Sequence, residues 1–233
     1  MVIKNKNIKV YLVRHCQTEG NLIGIFQGST DTPVSEKGQT QLDLLAVRFR
    51  NIKYDRIYSS PQGRAKKTAE AINTFHSNDI IEVADFREIF MGKADGMKWS
   101  LIPQLFYDEA EKWNNAPNEF CPPEGEKMTE VYSRMSKALE KVVSEANDGE
   151  TIVIVSHGCA LKNLNCYLKY GDISGLGEVD IGVNTAVSLW EYNGSAYRNV
   201  YMNDCSHIPG WKPGDGAKVD FDLSLNKERY KGI

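Results

Sequence analysis

Two histidines of this 233-residue chain each follow a stretch that has the composition of a buried β-strand. Residues 8–13 are mostly apolar and lead to Arg14 and His15, while residues 151–155, nearly all apolar, are followed within two residues by His157. Such runs are typical of the buried strands of a parallel sheet. Open α/β sheets bind their ligands at the carboxyl ends of these strands. We therefore expect both imidazoles to emerge at one edge of a sheet and to converge on one ligand.

The next predicted strand covers residues 54–59. The helix that follows this strand should place a further cation at the same edge of the sheet. Ser60 and Pro61 start this helix, because a hydroxyl can cap it and proline fits the first helical position. Arg64 then lies in its first turns, and a helix amino terminus attracts anions through its free N–H groups and dipole. With Arg14 and the two histidines, this predicts a phosphate pocket. It favours phosphoryl over acyl transfer, since the sequence lacks a nucleophilic serine elbow.

Strand and helix patterns alternate along the chain and predict a three-layer α/β/α sandwich with a mostly parallel central sheet. Apolar spacing predicts further helices over residues 35–49, 126–146 and 159–168, with Ser35 as an N-cap. It also predicts a short strand over residues 80–83 and a late hairpin of residues 185–192 with 197–201. We expect residues 1–233 to form a single domain.

Two segments depart from this alternation. Residues from about 97 to 125 scatter aromatic side chains among acids and prolines, and we interpret them as a short cap insertion over the pocket. Such a cap favours a small phosphomonoester with an organic body as the substrate. From about residue 205 onward, glycines, prolines and charges predict a tail draped over the surface.

The composition narrows the range of partners. Hydrophobic residues make up 41% and charged residues 25% of the chain, with a net charge of −3, which is the balance of an ordinary globular protein. No basic field is present to hold a nucleic acid, and neither a signal peptide nor a run of 18 apolar residues occurs. Five cysteines without dense spacing indicate reduced thiols and a cytoplasmic location. We expect a small phosphorylated metabolite as the partner, with no nucleic acid and no membrane, and the oligomeric state stays open.

The motifs taken together carry a resemblance to a known family. They are R-H-C-Q-T-E-G-N at residues 14–21, Ser60-Pro61 with Arg64, Glu88, and S-H-G at residues 156–158. This ordered set resembles the histidine phosphatase superfamily, in its phosphoglycerate-mutase-like branch, over most of residues 8–205. The resemblance implies a metal-independent phosphomonoesterase without a cofactor that works through a phosphohistidine intermediate. The resemblance thus implies a phosphomonoester hydrolase of the histidine acid phosphatase type.

The resemblance also implies a role for each matching residue. His15 matches the nucleophile, and Glu88 matches the general acid that protonates the leaving oxygen and later activates water. Asn184 and Thr185 resemble a further signature of supporting residues. The residues implied to contact the phosphate, or to lie in the loop beside it, are Arg14, Arg64, His157, Asn21 and Gln27. The family usually has glycine where this chain has Cys16, and we expect cationic neighbours to lower the pKa of that thiol and make it sensitive to oxidation.

Three alternatives remain beside hydrolysis. A cofactor-dependent phosphoglycerate mutase must exclude water and carries a longer basic insertion, whereas residues 97–125 are short and acidic, which favours a phosphatase. A non-catalytic phosphate-binding module would use the same pocket without turnover. A metal site could be built from His15-Cys16 and His157-x-Cys159, although this spacing is not typical of zinc.

Overall fold

The computed structural model describes residues 6–214 and 220–223 of the chain. Within these residues, six strands form one mixed sheet in the spatial order β3-β2-β4-β1-β5-β6. They are β1 (Ile8–Arg14), β2 (Arg56–Ser59), β3 (Ile80–Glu82), β4 (Thr151–Ser156), β5 (Val187–Tyr192) and β6 (Tyr197–Asp204). The first four run parallel to one another, while β5 and β6 form an antiparallel edge. The predicted mostly parallel sheet is confirmed.

The predicted helices are present with some shifted ends, and within the described residues three short helices lie where none was predicted, at residues 19–22, 102–105 and 107–115. In chain order the helices are α1 (Glu19–Leu22), α2 (Glu36–Phe49), α3 (Gly63–Ile72), α4 (Ile102–Leu105), α5 (Tyr107–Asn115), α6 (Met128–Glu145) and α7 (Gly158–Tyr170). The Ser35 hydroxyl caps α2 by accepting from the amide of Gly38 at 3.0 Å, as predicted. α3 begins at Gly63 rather than at Ser60. None of the helices in the described part of the chain is long and apolar enough to cross a membrane.

The sheet separates two apolar cores, because successive strand side chains point to opposite faces. On one face Val13, Val153 and Val155 pack under residues of α2 and α3. On the other face Leu12 and Ile154 pack with residues of α6 and α7. The predicted three-layer α/β/α arrangement is confirmed.

The segment of residues 97–125 consists of short helices and turns that pack on the second core. Trp113 and Phe120 are buried in it, and their rings meet edge to face with centroids 5.0 Å apart. Beyond β6, the chain does not simply cover the surface as predicted. Cys205 is fully buried, and Phe221 is buried against the aromatic side chains of this segment. The parts of the predicted tail at residues 215–219 and 224–233 lie outside the described residues.

Candidate active site

The register of β1 and β4 brings the two predicted histidines together. Arg14 pairs with Ser156 across these strands, and the amide of His15 donates to the carbonyl of Ser156 at 2.9 Å. The imidazole centroids of His15 and His157 lie 5.1 Å apart, and both side chains are buried. The predicted convergence of the two imidazoles is confirmed.

The tautomer of His15 follows from its backbone contact. Nδ1 lies 2.6 Å from the carbonyl oxygen of Cys16, and because a carbonyl can only accept, Nδ1 carries the hydrogen and Nε2 keeps its lone pair. The carbonyl of His15 accepts from Asn184 Nδ2 at 3.1 Å and from the amide of Thr185 at 3.2 Å. Burial, together with the charges of Arg64 and Arg14, holds the pKa of His15 well below its usual range. The imidazole is therefore neutral at neutral pH and has its Nε2 available as a nucleophile.

His157 is held by the residue that follows β2. Its Nε2 lies 2.7 Å from the Ser60 hydroxyl, and the amide of Ser60 continues the sheet by donating to the carbonyl of Val155 at 2.9 Å. Burial, with the nearby charge of Arg64, lowers the pKa of His157 well below its usual value. Its Nδ1 is buried and has no hydrogen-bond partner among the described residues. This nitrogen can therefore contact a bound group.

Arg14 extends from the end of β1 along the start of α7. Its Nη1 donates to the carbonyl of Gly182 at 2.6 Å, while its Nε is buried without a partner in the described part of the chain. Burial lowers the pKa of Arg14, and the nearby carboxylate of Glu88 opposes this shift. A Cβ at Gly158 would lie 3.1 Å from Cγ2 of Ile181 and 3.2 Å from Cζ of Arg14, so a larger residue here would displace these side chains by a few tenths of an ångström.

Arg64 is buried and holds the loop of residues 27–31. Its Nη2 donates to the carbonyls of Gln27 at 2.9 Å and Gly28 at 3.1 Å, and its Nη1 donates to the Asp31 carboxylate at 3.0 Å. The amide of Gly63, at the start of α3, also donates to the Asp31 carboxylate. The sequence predicts that the amino terminus of this helix attracts the ligand anion. This prediction is wrong for the Gly63 amide, because Asp31 already accepts its hydrogen bond. Only Nε of Arg64 lacks a partner within the described residues.

Glu88 lies in an irregular segment and faces the amino terminus of α7. Its Oε1 accepts from the amides of Ile89 and Ala160, both at 2.9 Å, and its Oε2 accepts from the amide of Cys159 at 3.1 Å. The first turn of a helix leaves such amides unpaired, and a carboxylate there is favoured by the helix dipole. The carboxylate is thus fixed on the same sheet edge as His15.

Asn21 and Gln27 are placed by the loop that follows His15. Asn21 belongs to α1, and its Oδ1 accepts from the amide of Thr18 at 3.1 Å in a reciprocal cap. The Gln27 amide group is held by Thr18 and Thr32, with its Oε1 accepting from the Thr32 hydroxyl at 2.7 Å. Both side chains therefore have fixed orientations at the wall of the cavity described next.

These residues surround a cavity of about 340 Å³. The polar side chains that line it are those of Arg14, His15, Gln17, Asn21, Gln27, Lys37, Gln41, Glu88 and Asn184. The apolar and aromatic side chains that line it are those of Ile25, Phe26, Trp99, Trp113, Ile181 and Val183. Arg64 and His157 do not line this cavity and lie buried near His15. The arrangement can hold a compact anion beside the cationic side chains and an organic group against the apolar ones.

Sequence reasoning missed two polar contacts of this site. The Ser60 hydroxyl, predicted to cap a helix, instead contacts His157. Gln62 joins two loops, because its Oε1 accepts from the amide of Glu88 at 2.9 Å and its Nε2 donates to the carbonyl of Gly28. The only signal was the position of both residues just after the end of a predicted strand.

Cys16 differs from its prediction. The side chain is fully buried, and burial raises rather than lowers the pKa of its thiol. The predicted oxidation sensitivity is therefore not supported by its surroundings, since reactivity needs both exposure and thiolate. Among residues 6–214 and 220–223, no group of His, Cys, Asp and Glu side chains is arranged to hold a metal ion, so the alternative metal site at the two histidine-cysteine pairs finds no support.

Comparisons with known proteins agree with this geometry. The model of the histidine phosphatase superfamily (branch 1) matches residues 10–205, which include every candidate residue discussed above. The chain belongs to the histidine phosphatase superfamily. This membership confirms the family predicted from the motifs and bears out the expectation of a phosphohistidine-type phosphatase.

Individual relatives show how far the likeness extends. The chain is 32% identical over 167 residues to phosphoserine phosphatase 1 of Hydrogenobacter thermophilus, covering 72% of this chain and 79% of that protein. It is 34% identical over 158 residues to the probable phosphoglycerate mutase GpmB of Escherichia coli, covering 66% and 71%. Among solved structures, YhfR of Bacillus stearothermophilus superposes with a TM-score of 0.81 at 30% identity and covers 86% of this chain and 98% of that one.

Proposed function

We propose that the chain is a metal-independent phosphomonoesterase that hydrolyses a small organic phosphate through a phosphohistidine on His15. The observation that carries this proposal is the contact of His15 Nδ1 with the Cys16 carbonyl, which leaves a lone pair on Nε2 of a side chain that lines the cavity. In this sense the enzyme is of the histidine acid phosphatase type. Residues 1–233 would act as one domain, with the segment of residues 97–125 as a cap over the site.

In the first step, Nε2 of His15 bonds to phosphorus while the bond to the leaving oxygen breaks. Glu88, in its protonated form, gives its proton to that oxygen, so that an alcohol leaves. In the second step a water attacks the phosphohistidine, Glu88 accepts the proton of the water, and the P–N bond breaks to release inorganic phosphate. Phosphoryl transfer of this kind depends mainly on positioning and on charge stabilisation.

The proposal gives a use to three buried nitrogens that lack partners in the described residues. Arg14 Nε, Arg64 Nε and His157 Nδ1 would donate to the phosphoryl oxygens on His15. If the Ser60 hydroxyl donates to Nε2 of His157, Nδ1 carries the hydrogen needed for this contact. Asn21 and Gln27 would contact the substrate from the wall of the cavity.

For the organic part of the substrate we propose a short, polar alcohol such as serine. A relative is named phosphoserine phosphatase 1, and the cavity of about 340 Å³ suits a small phosphomonoester. We also propose that the chain acts in the cytoplasm, because all five cysteines, each within the described residues, are unpaired thiols.

A mutase is the second candidate, because of the likeness to the probable phosphoglycerate mutase GpmB. Phosphate release from phosphoserine and from other phosphomonoesters, measured beside the isomerisation of 3-phosphoglycerate, separates the two. We expect release without isomerisation, unchanged by EDTA and abolished in His15→Ala. Isomerisation faster than phosphate release would reject the phosphatase, and loss of activity on chelation would reject the metal-free mechanism.

A further inference from the structure

The segment that carries Glu88 has little regular structure of its own. Glu88 lies between a 3-10 turn over Ala84–Phe86 and another over Gly92–Ala94, outside the strands and helices. Backbone N–H and C=O groups in such a segment need partners from elsewhere, because an unpaired buried group costs free energy. The groups that supply these partners decide where the Glu88 carboxylate lies.

Arg134, on α6, supplies the partners for the carbonyl groups. Its Nη1 donates to the carbonyls of Asp85 at 2.6 Å and Arg87 at 2.8 Å, and its Nη2 donates to the carbonyl of Glu88 at 3.2 Å. Its Nε and Nη2 bind the two carboxylate oxygens of Glu126 at 2.7 and 2.9 Å. A guanidinium has five N–H donors, so every donor of this nearly buried side chain is used.

Glu126 completes the arrangement on the other side of Glu88. Its carboxylate accepts from the amide of Phe90 at 3.2 Å, and its own amide donates to the carbonyl of Phe90 at 2.8 Å. Burial is the largest single influence and raises the pKa of Glu126, but the hydrogen bonds and charge of Arg134, the Phe90 amide and the charge of Arg87 together lower the pKa. The ion pair therefore holds backbone groups both before and after Glu88.

Arg134 lies behind Glu88 rather than beside the substrate. It lines a separate cavity of about 610 Å³ together with Asp85, Phe90 and Glu126, and it is absent from the lining of the cavity that contains His15. We propose that Arg134, through its ion pair with Glu126, is the positioning residue that sets the Glu88 carboxylate at proton-transfer distance from the leaving oxygen. This inference rests on the proposed role of Glu88 as the general acid.

The chemistry of the leaving group provides the test. When the P–O bond of an alkyl phosphate breaks, the alkoxide needs the proton of Glu88, whereas 4-nitrophenolate leaves as a stable anion without one. Misplacement of Glu88 should therefore slow the hydrolysis of phosphoserine much more than that of 4-nitrophenyl phosphate. General damage to the phosphate pocket would slow both reactions equally.

Arg134→Lys and Arg134→Met are the variants to measure in the full-length chain. Lysine keeps the charge but lacks the planar set of five donors. We expect kcat/KM for phosphoserine to fall about 30- to 100-fold, because misplacement should remove part of the roughly 10²–10⁴-fold that a positioned acid contributes. We expect kcat/KM for 4-nitrophenyl phosphate to fall by less than about threefold. If the methionine variant fails to fold in a thermal unfolding test, the lysine variant carries the measurement.

Arg56→Met is the matched control. Arg56 also forms an ion pair, with Glu150 at 2.9 Å, but it lies at the start of β2, at the opposite end of the sheet from the site. We expect this control to leave the ratio of the two kcat/KM values at that of the parent chain. A ratio that is also unchanged in both Arg134 variants would overturn the proposal.

Glu88→Gln, measured in parallel, separates this inference from the proposed function. If Glu88→Gln shows the selective loss and the Arg134 variants do not, the inference about Arg134 alone is rejected. If Glu88→Gln itself slows both substrates equally, the role of Glu88 as an acid is rejected, and the inference is rejected with it. Selective loss in all three variants supports both.

Discussion

His207 makes the stability of the fold depend on pH in a way that can be calculated. Its Nδ1 accepts from Arg48 Nη1 at 3.0 Å, and its Nε2 donates to the hydroxyl of Thr185, whose amide contacts the carbonyl of His15. Arg48 in turn forms an ion pair with Asp204 at 2.6 Å. Burial, reinforced by Arg48, lowers the pKa of His207 to about 4. Protonation of Nδ1 would remove the acceptor and place a second positive charge against Arg48.

The sign of the effect follows from the two states. The folded state has the lower pKa, so the unfolded chain binds the proton first as the pH falls below about 6.5. The contribution of His207 to the free energy of unfolding is therefore fully present above that pH and is lost as the pH falls toward about 4. Between pH 7 and 5, a pKa shift of this size lowers the free energy of unfolding by at most about 2 kcal/mol. Because the ring is partly exposed, we expect a loss of about 1–1.5 kcal/mol. The melting temperature should then fall by about 2–6 °C.

His207→Gln isolates this contribution, because a glutamine can accept from Arg48 and donate to Thr185 without titrating. Urea unfolding at pH 7 and pH 5 should show that the parent loses about 1–1.5 kcal/mol more than the variant over this interval. His76→Gln, at a histidine outside this network, is the control and should behave like the parent. Equal pH dependence in the parent and in His207→Gln would show that His207 does not cause this loss of stability.

Three further predictions concern the pocket and its surroundings. Phe221→Ala removes a ring whose centroid lies 5.0 Å from that of Trp99, a residue of the cavity wall. We expect steady-state kinetics to show a KM for phosphoserine raised about two- to tenfold, with inhibition by inorganic phosphate unchanged. Equal weakening of phosphoserine binding and of phosphate inhibition would contradict a role confined to the organic part of the substrate. Cys16 should resist maleimide in the native state and react only in urea, because it is buried and its thiol pKa is raised. Labelling of Cys16 in the native protein, mapped by mass spectrometry, would disprove its burial. Gly158→Ala places a Cβ 3.2 Å from Cζ of Arg14, which displaces the guanidinium by a few tenths of an ångström. We expect kcat/KM to fall up to about tenfold, because a misplacement of about 1 Å can cost about 100-fold. Full activity in the folded variant would show that the guanidinium can move without loss.

The parts of the fold that repeat a simple period could be predicted from the sequence. The alternation of strands and amphipathic helices predicted the layers. The apolar run before His157 predicted an interior strand of the sheet, because a strand buried on both faces is apolar along nearly its whole length. The convergence of His15 and His157 followed from one further rule, that parallel strands end at the same edge. These inferences need no knowledge of side-chain contacts.

The remaining features depend on contacts that have no local pattern. Asp31 takes the first amide of α3, because the intervening loop folds back on that helix, and nothing in the helix sequence indicates it. Arg134 interrupts the apolar stripe of α6 between Val131 and Met135. A charged residue at such a position indicates a buried ion pair, but the stripe does not show that the partner is Glu126. The burial of Phe221 depends on aromatic residues more than a hundred positions earlier, which a reading of local composition cannot connect.

The most direct test of the account is to trap the phosphoryl group on the enzyme. After rapid acid-free quenching of the chain with a ³²P-labelled phosphomonoester, we expect a label that is stable in alkali and lost in acid, located at His15 by peptide mapping and absent from His15→Ala. Labelling of a different residue, or turnover by His15→Ala at the rate of the parent, would contradict the proposal that Nε2 of His15 takes the phosphoryl group.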